Sequence, residues 1–149
     1  MDRDLLSKTE VLEKSYTLGY EYEYKYKCCA QCTIAAIQDV FKLDVNDVFK
    51  AGHGLCGGVG GSREGTCGAL SGGAMILSYN YGRGRKDFAL DMNSFRSWEL
   101  SKKLYNKFVF EFGSCICREV QKGLFMKTQK LWLKNSIATS VKEVLIRRK

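Results

Sequence analysis

Seven cysteines in 149 residues carry whatever chemistry this chain performs: Cys28, Cys29, Cys32, Cys56, Cys67, Cys115 and Cys117. Three of them, Cys29, Cys67 and Cys117, fall where helices are expected to begin, and Cys67 follows glycine-rich chain. A thiol at a helix start meets unpaired backbone N–H groups and the positive end of the helix dipole, which favours thiolate over thiol. Thiolates bind metals, attack disulfides and carry electrons, so the pattern points to redox or metal chemistry.

Each motif has a plainer reading beside the chemical one. Cys29-Ala30-Gln31-Cys32 is a C-x-x-C at a helix start, with the two Cα atoms of positions i and i+3 within disulfide range. Its first thiol would be activated, and its second could resolve a mixed disulfide. Cys32 reads equally well as a small core residue. Position 33 is Thr, so the C-x-x-C-H signature of covalent haem attachment is absent, as is the strand–helix alternation around a thioredoxin-type motif. Thr66-Cys67-Gly68-Ala69-Leu70-Ser71-Gly72 puts a cysteine in a first helical turn, while Gly68 and Gly72 also make a groove for a neighbouring helix. Gly57-Gly58-Val59-Gly60-Gly61-Ser62-Arg63 completes neither phosphate-binding glycine pattern and follows no strand. Its glycines are expected to let backbone approach a cysteine site. In Ser114-Cys115-Ile116-Cys117-Arg118, Cys117 beside Arg118 is the better thiolate candidate and Cys115 reads as incidental. His53, the one histidine, reads as an exposed loop residue. The tyrosines at 20, 22, 24 and 26 read as packing and rim residues.

The elements that must position these residues read as helices. Leu5, Leu6, Val11, Leu12 and Tyr16 suit an amphipathic helix from Asp4 to about Leu18. The alternation from Tyr20 to Lys27 suits a strand, but a lone strand is unstable, and Tyr16, Tyr20 and Tyr24 also share a helix face. Helix is the preferred reading. A second helix is expected from Cys29 to Lys42, with Ala30, Ile34, Ile37 and Phe41 as its apolar stripe. Asp44 is the expected cap of a short third helix, Val45 to Ala51. Seven glycines follow between Gly52 and Gly65. Thr66 is the expected cap of a central helix, Cys67 to Tyr81, whose interior glycines cost about 1 kcal/mol each against alanine. Such a helix implies a second helix or a cofactor pressed against it. A long helix over Ser94 to Phe112 repeats Leu100, Leu104, Phe108 and Phe112 every four residues. Ser114 would cap a short helix carrying Cys117, and a last helix is expected from Lys127 to Arg148. The fold class is therefore all-α: a compact single-domain helical bundle of about five to seven helices spanning 1–149, with a glycine-rich loop before a central small-residue helix.

Composition narrows the setting. With 45% apolar residues the chain can build a core without disulfide staples. The start, Met1-Asp2-Arg3-Asp4, is acidic with no apolar stretch after it, and no run approaches membrane-spanning length. A reducing cytoplasm is the expected location and no membrane partner is expected. Residues 1–75 hold 8 Lys and Arg against 10 Asp and Glu, whereas residues 76–149 hold 16 against 6. The basic charges are spread rather than clustered, which argues for solvated helix faces over nucleic-acid binding.

Four stretches carry a family resemblance: Cys28-Cys29-Ala30-Gln31, Gly57-Gly58-Val59-Gly60, Thr66-Cys67-Gly68-Ala69-Leu70-Ser71-Gly72-Gly73-Ala74, and Phe112-Gly113-Ser114 with Cys117-Arg118-Glu119. Together they resemble the redox-active proteins named for their C…GCAxxG…C…C cysteine pattern, over about Val11 to Val120. The resemblance implies a small bacterial helical redox protein. Residue by residue it carries over Cys29, Cys67 and Cys117, and it finds no counterpart of the family's final cysteine. Cys28, Cys32, Cys56 and Cys115 stand as additions.

The expectation that follows is a thiolate set at Cys29, Cys67 and Cys117 holding an iron–sulfur cluster or a metal ion for electron transfer, with Cys32 or Cys56 as fourth ligand. Gly58, Gly60 and Gly68 would line the site, and Arg118 would offset its charge. A metal-free alternative has Cys29 attack a disulfide and Cys32 or Cys67 resolve it. A third is a non-catalytic helical binding module with a basic face. The redox partner would be another protein, and the small-residue helix and aromatic termini also suit a homodimer.

Overall fold

In the computed structural model, residues 7–89 and 96–125 are described, and among them there are six α-helices and no strand. They are α1 (Lys8–Tyr26), α2 (Cys29–Phe41), α3 (Asn46–Gly52), α4 (Gly68–Tyr81), α5 (Arg96–Phe112) and α6 (Cys117–Phe125). Single turns of 3-10 helix occur at His53–Leu55 and Arg85–Asp87. The helix expected over 127–148 lies outside the described residues, as do the expected starts at Asp4 and Ser94. None of the helices is long and apolar enough among the described residues to cross a membrane.

The tyrosine-rich stretch belongs to α1, so the helical alternative prevails over the strand. Its start is set by a capping box: the Ser7 hydroxyl accepts from the Glu10 N–H, while the Glu10 carboxylate accepts from the Ser7 N–H at 2.6 Å. Val11, Ser15 and Gly19, spaced by four, form the buried face. Small residues there let α2 pack closely, and the Ser15 hydroxyl turns back to the Val11 carbonyl at 2.7 Å.

Two of the three expected caps differ. Helix α3 begins after Val45 with no side-chain cap, because Asp44 is engaged elsewhere: its carboxylate accepts from the Asn46 amide and its carbonyl from the Tyr79 hydroxyl. Helix α4 begins at Gly68, one residue later than expected, with Cys67 in the cap position. Thr66 is drawn away from capping because it pairs with Ile116 in an isolated antiparallel bridge. Ser114 does accept from the Ile116 N–H at 3.0 Å, ahead of the α6 start at Cys117.

The core gathers Ile34 and Ile37 of α2, Ile76 and Leu77 of α4, Leu100, Leu104 and Phe108 of α5, and Val120 of α6. The four-residue repeat of α5 is its buried stripe, with Phe112 partly buried at the end. Helix α4 lies between α2 and α5, as a nearly all-apolar helix must. Its glycines explain how closely it approaches α2. A Cβ at Gly72 would stand 2.6 Å from the Ala30 carbonyl oxygen, so the two backbones touch there. That crossing brings the amino-terminal tips of α2 and α4 together.

Candidate functional site

Four segments meet at those tips: the turn before α2, the glycine loop, the start of α4, and the stretch leading into α6. The last is laced to the loop by backbone. Arg118 N–H donates to the Arg63 carbonyl at 2.9 Å, Cys117 N–H to Gly65 at 2.9 Å, and Cys67 N–H to Cys115 at 2.7 Å. These three bonds join residues about fifty apart in sequence, and they carry Cys117 to the helix tips. Gly58 makes this possible: a Cβ there would lie 2.8 Å from the Cys117 Cβ and 2.9 Å from the Gly65 carbonyl oxygen. From Gly57 to Gly61 all five residues have positive φ, Val59 included at 68°, so the loop is a left-handed turn that needs glycine at most positions.

Cys29 is the first residue of α2 and the least buried of the gathered sulfurs, whereas Cys67 and Cys117 are 3% and 2% exposed. The Cys29 sulfur sits against Gly68, where a Cβ would approach it to 2.5 Å. It is hydrogen-bonded by the Cys67 thiol and by the backbone N–H groups of Gly57, Gly68 and Ala30. These donors lower its pKa from 9.0 to about 6, against the opposing effect of burial. Cys67 moves the other way, well above the usual thiol range, because of its bond to Cys29 and its burial. Three amides face Cys29 and one, from Ala69, faces Cys67, so the shared proton resides on Cys67. Cys117 is raised by burial and by the charge on Cys29, with Arg63 opposing. Arg118, expected to balance the thiolates, instead pairs with Glu64 at 2.6 Å on the exposed side of the loop. Residue 118 is turned outward because its backbone is tied to Arg63.

The other candidates separate from this pair. Cys32 is buried, donates to the Lys27 carbonyl at 3.0 Å and meets the Glu23 carboxyl; burial first, then Glu23, raise its pKa far above the ordinary range. Cys56 stands at disulfide distance from Cys28, with Cα atoms 4.9 Å apart. Cys115 faces the Tyr105 hydroxyl. His53 is exposed. Of the glycines, Gly58 and Gly68 touch the cysteines, while Gly60 has open space around it.

Glu23 is the residue that sequence reasoning missed. It extends the Val11, Ser15, Gly19 stripe by another four residues, a signal hidden behind the tyrosine alternation. Its Oε2 is the buried side-chain oxygen or nitrogen left without a hydrogen-bond partner among the described residues. Burial, then the Cys29 charge, push its pKa up to about 7, with the Cys32 thiol and Lys27 opposing.

These residues do not fit the four-thiolate centre that the motif spacing suggested. Among the described residues no three His, Cys, Asp or Glu side chains gather as a set able to hold a metal ion. Cys56 is turned to Cys28, and the Cys67 proton is directed at Cys29. What the arrangement can do is hold one stabilised thiolate beside a protonated thiol.

No curated protein and no solved structure matches the chain. A family model does, over residues 27–142, which takes in the four segments that meet at the helix tips and all seven cysteines. Its description is "Putative redox-active protein (C_GCAxxG_C_C)", and this chain belongs to that family.

Proposed function

We propose that the protein is a thiol–disulfide redox protein whose active pair is Cys29 and Cys67. The observation that carries this reading is the asymmetry of the pair: a partly buried sulfur stabilised as thiolate by three amides and a thiol, next to a more deeply buried sulfur that keeps its proton. Cys29 thiolate attacks a disulfide R–S–S–R, forming a mixed disulfide and releasing one thiolate RS⁻. Cys67 then gives up its proton, attacks the Cys29 sulfur and displaces the second RS⁻. Two protein thiols are oxidised to one disulfide and the substrate is reduced to two thiols. The Cys67 proton goes to one leaving group, and the other is protonated from the surroundings. Cys117 stays a thiol at the back of the pair, held neutral by burial and by the charge on Cys29. A reducing cytoplasm suits this role, with a protein disulfide or dithiol as redox partner.

The test is oxidation of the reduced protein with one equivalent of a small disulfide, followed by peptide mapping. A Cys29–Cys67 bond, lost in Cys29→Ser, is expected. Oxidation that leaves both cysteines free, or stoichiometric iron or zinc in protein purified without air, would overturn the reading.

A further inference from the structure

Of the partly buried cysteines outside this mechanism, Cys28 and Cys56 lie side by side. Cys28 directly precedes the nucleophile, and Cys56 directly precedes Gly57, whose N–H is one of the donors to Cys29. Their Cα separation of 4.9 Å lies within the range a disulfide spans. We propose that Cys28 and Cys56 form a second thiol–disulfide couple, a latch whose state sets the reactivity of Cys29.

Both flanks of the latch are held in conformations that a free chain leaves. Lys27 and Cys28 have φ of 61° and 73°, two successive non-glycine residues in the left-handed region. Such residues persist only where the surroundings hold them. On the other side, Cys56 enters the left-handed turn and its carbonyl accepts from Gly61 N–H at 2.9 Å. Joining the two sulfurs ties the turn before α2 to the turn that presents the Gly57 N–H. The Cys56 sulfur also lies 3.7 Å from the Gly52 carbonyl at the end of α3, an acceptor that the reduced thiol can use in place. The bond tethers the turn that carries the Gly57 donor to the chain beside Cys29, and its loss removes that tether.

The chemistry is self-contained once a disulfide is supplied. Cys28–SH and Cys56–SH react with R–S–S–R to give the Cys28–Cys56 disulfide and two R–SH. Two electrons pass to the substrate, and the two thiol protons pass to the two leaving groups. The latch thus reports the disulfide load of the surroundings to Cys29. This inference rests on Cys29 being the nucleophile proposed above, and the experiment separates the two.

The experiment uses the full chain carrying Cys67→Ser, in which Cys29 lacks its resolving partner but keeps a hydroxyl donor. The protein is equilibrated in buffers of increasing oxidised-to-reduced glutathione ratio, and the Cys28–Cys56 bond is followed by mass spectrometry. Glutathione is then removed at about pH 5, and alkylation of the Cys29 fraction that carries no glutathione is timed at about pH 5.5 for each. A single two-electron transition at Cys28–Cys56 is expected, with Cys29 alkylation about threefold faster on its oxidised side, because one lost donor to a charged sulfur removes most of the thiolate while the less acidic sulfur is intrinsically more nucleophilic. The Cys28→Ser, Cys56→Ser double variant in the same background should alkylate at the slow rate in every buffer. The proposal is overturned if the bond never forms, or if Cys29 reacts equally fast with the latch open and closed. Either result leaves the Cys29–Cys67 bond of the wild-type protein intact as a separate finding.

Discussion

The Cys67→Ala variant tests the asymmetry on which the redox reading depends. The Cys67 thiol is the foremost of the groups that bring Cys29 from 9.0 down to about 6. A hydrogen bond to a charged group is worth about 1.5–3 kcal/mol, so its removal should raise the Cys29 value by about 1–2. Three amide donors remain and oppose burial, so the value should stay below that of an ordinary thiol. Taking about 7.5 for the variant, the thiolate fraction at pH 5.5 falls about 25-fold, from roughly a quarter to roughly one in a hundred. A more basic sulfur is a better nucleophile, and over that range the gain is about fivefold. The net effect is alkylation about fivefold slower at pH 5.5 and about threefold faster at pH 8, where both forms are mostly thiolate. The two rate–pH profiles must cross. The assay is timed iodoacetamide labelling with Cys29 resolved by mass spectrometry across pH 5–9, with Cys67→Ser as companion. Serine keeps a donor, so its profile should lie close to wild type. Profiles that run parallel, or a serine variant that moves as far as the alanine one, would refute the argument.

Other consequences follow from the same geometry. Gly72→Ala gains about 1 kcal/mol of helix propensity but sets a methyl 2.6 Å from a backbone oxygen that cannot swing aside; overpacking costs about 1–3 kcal/mol, so urea denaturation should show a net loss of about 1 kcal/mol. Glu23→Gln should stabilise in a pH-dependent way. Because the folded Glu23 value is raised to about 7, burial favours the acid form, and the stability it contributes at low pH is lost as pH climbs from about 4.5 through 7. Discounted for partial exposure, the variant should gain about 1–2 kcal/mol at pH 8 and nothing near pH 4, read from paired urea titrations. The Cys28–Cys56 bond closes a loop with a sequence separation of 28, so the oxidised protein should exceed the Cys28→Ser, Cys56→Ser variant by about 2–4 kcal/mol in denaturant, and the reduced protein should not.

The helical bundle was legible because periodic apolar residues specify a buried face wherever the helix is placed. Leu100, Leu104 and Phe108 are buried as their spacing required, and the glycines of α4 meet the backbone of α2 as a small-residue helix must. The caps were less legible. Asp44 and Thr66 are good capping residues in isolation, but Tyr79 and Asn46 engage the first and Ile116 the second. A local preference worth about 1 kcal/mol yields to such contacts. Glu23 was hidden for a related reason: the alternating tyrosines suggested a period of two in a segment whose buried face repeats every four.

The order of helices and the three cysteines at their tips were properties of the chain, since local turn chemistry and hydrophobic period depend on neighbours in sequence. Only the folded structure decided how the sulfurs divide. Which thiol keeps its proton depends on how many amides converge on each sulfur, and those of Gly57 and Gly68 reach Cys29 from outside its own helix. That Cys56 turns to Cys28 depends on a left-handed glycine turn folding back on the start of α2. Hydrogen bonds and disulfides act over a few ångströms, and distances of that size between residues far apart in sequence exist only once the helices have packed.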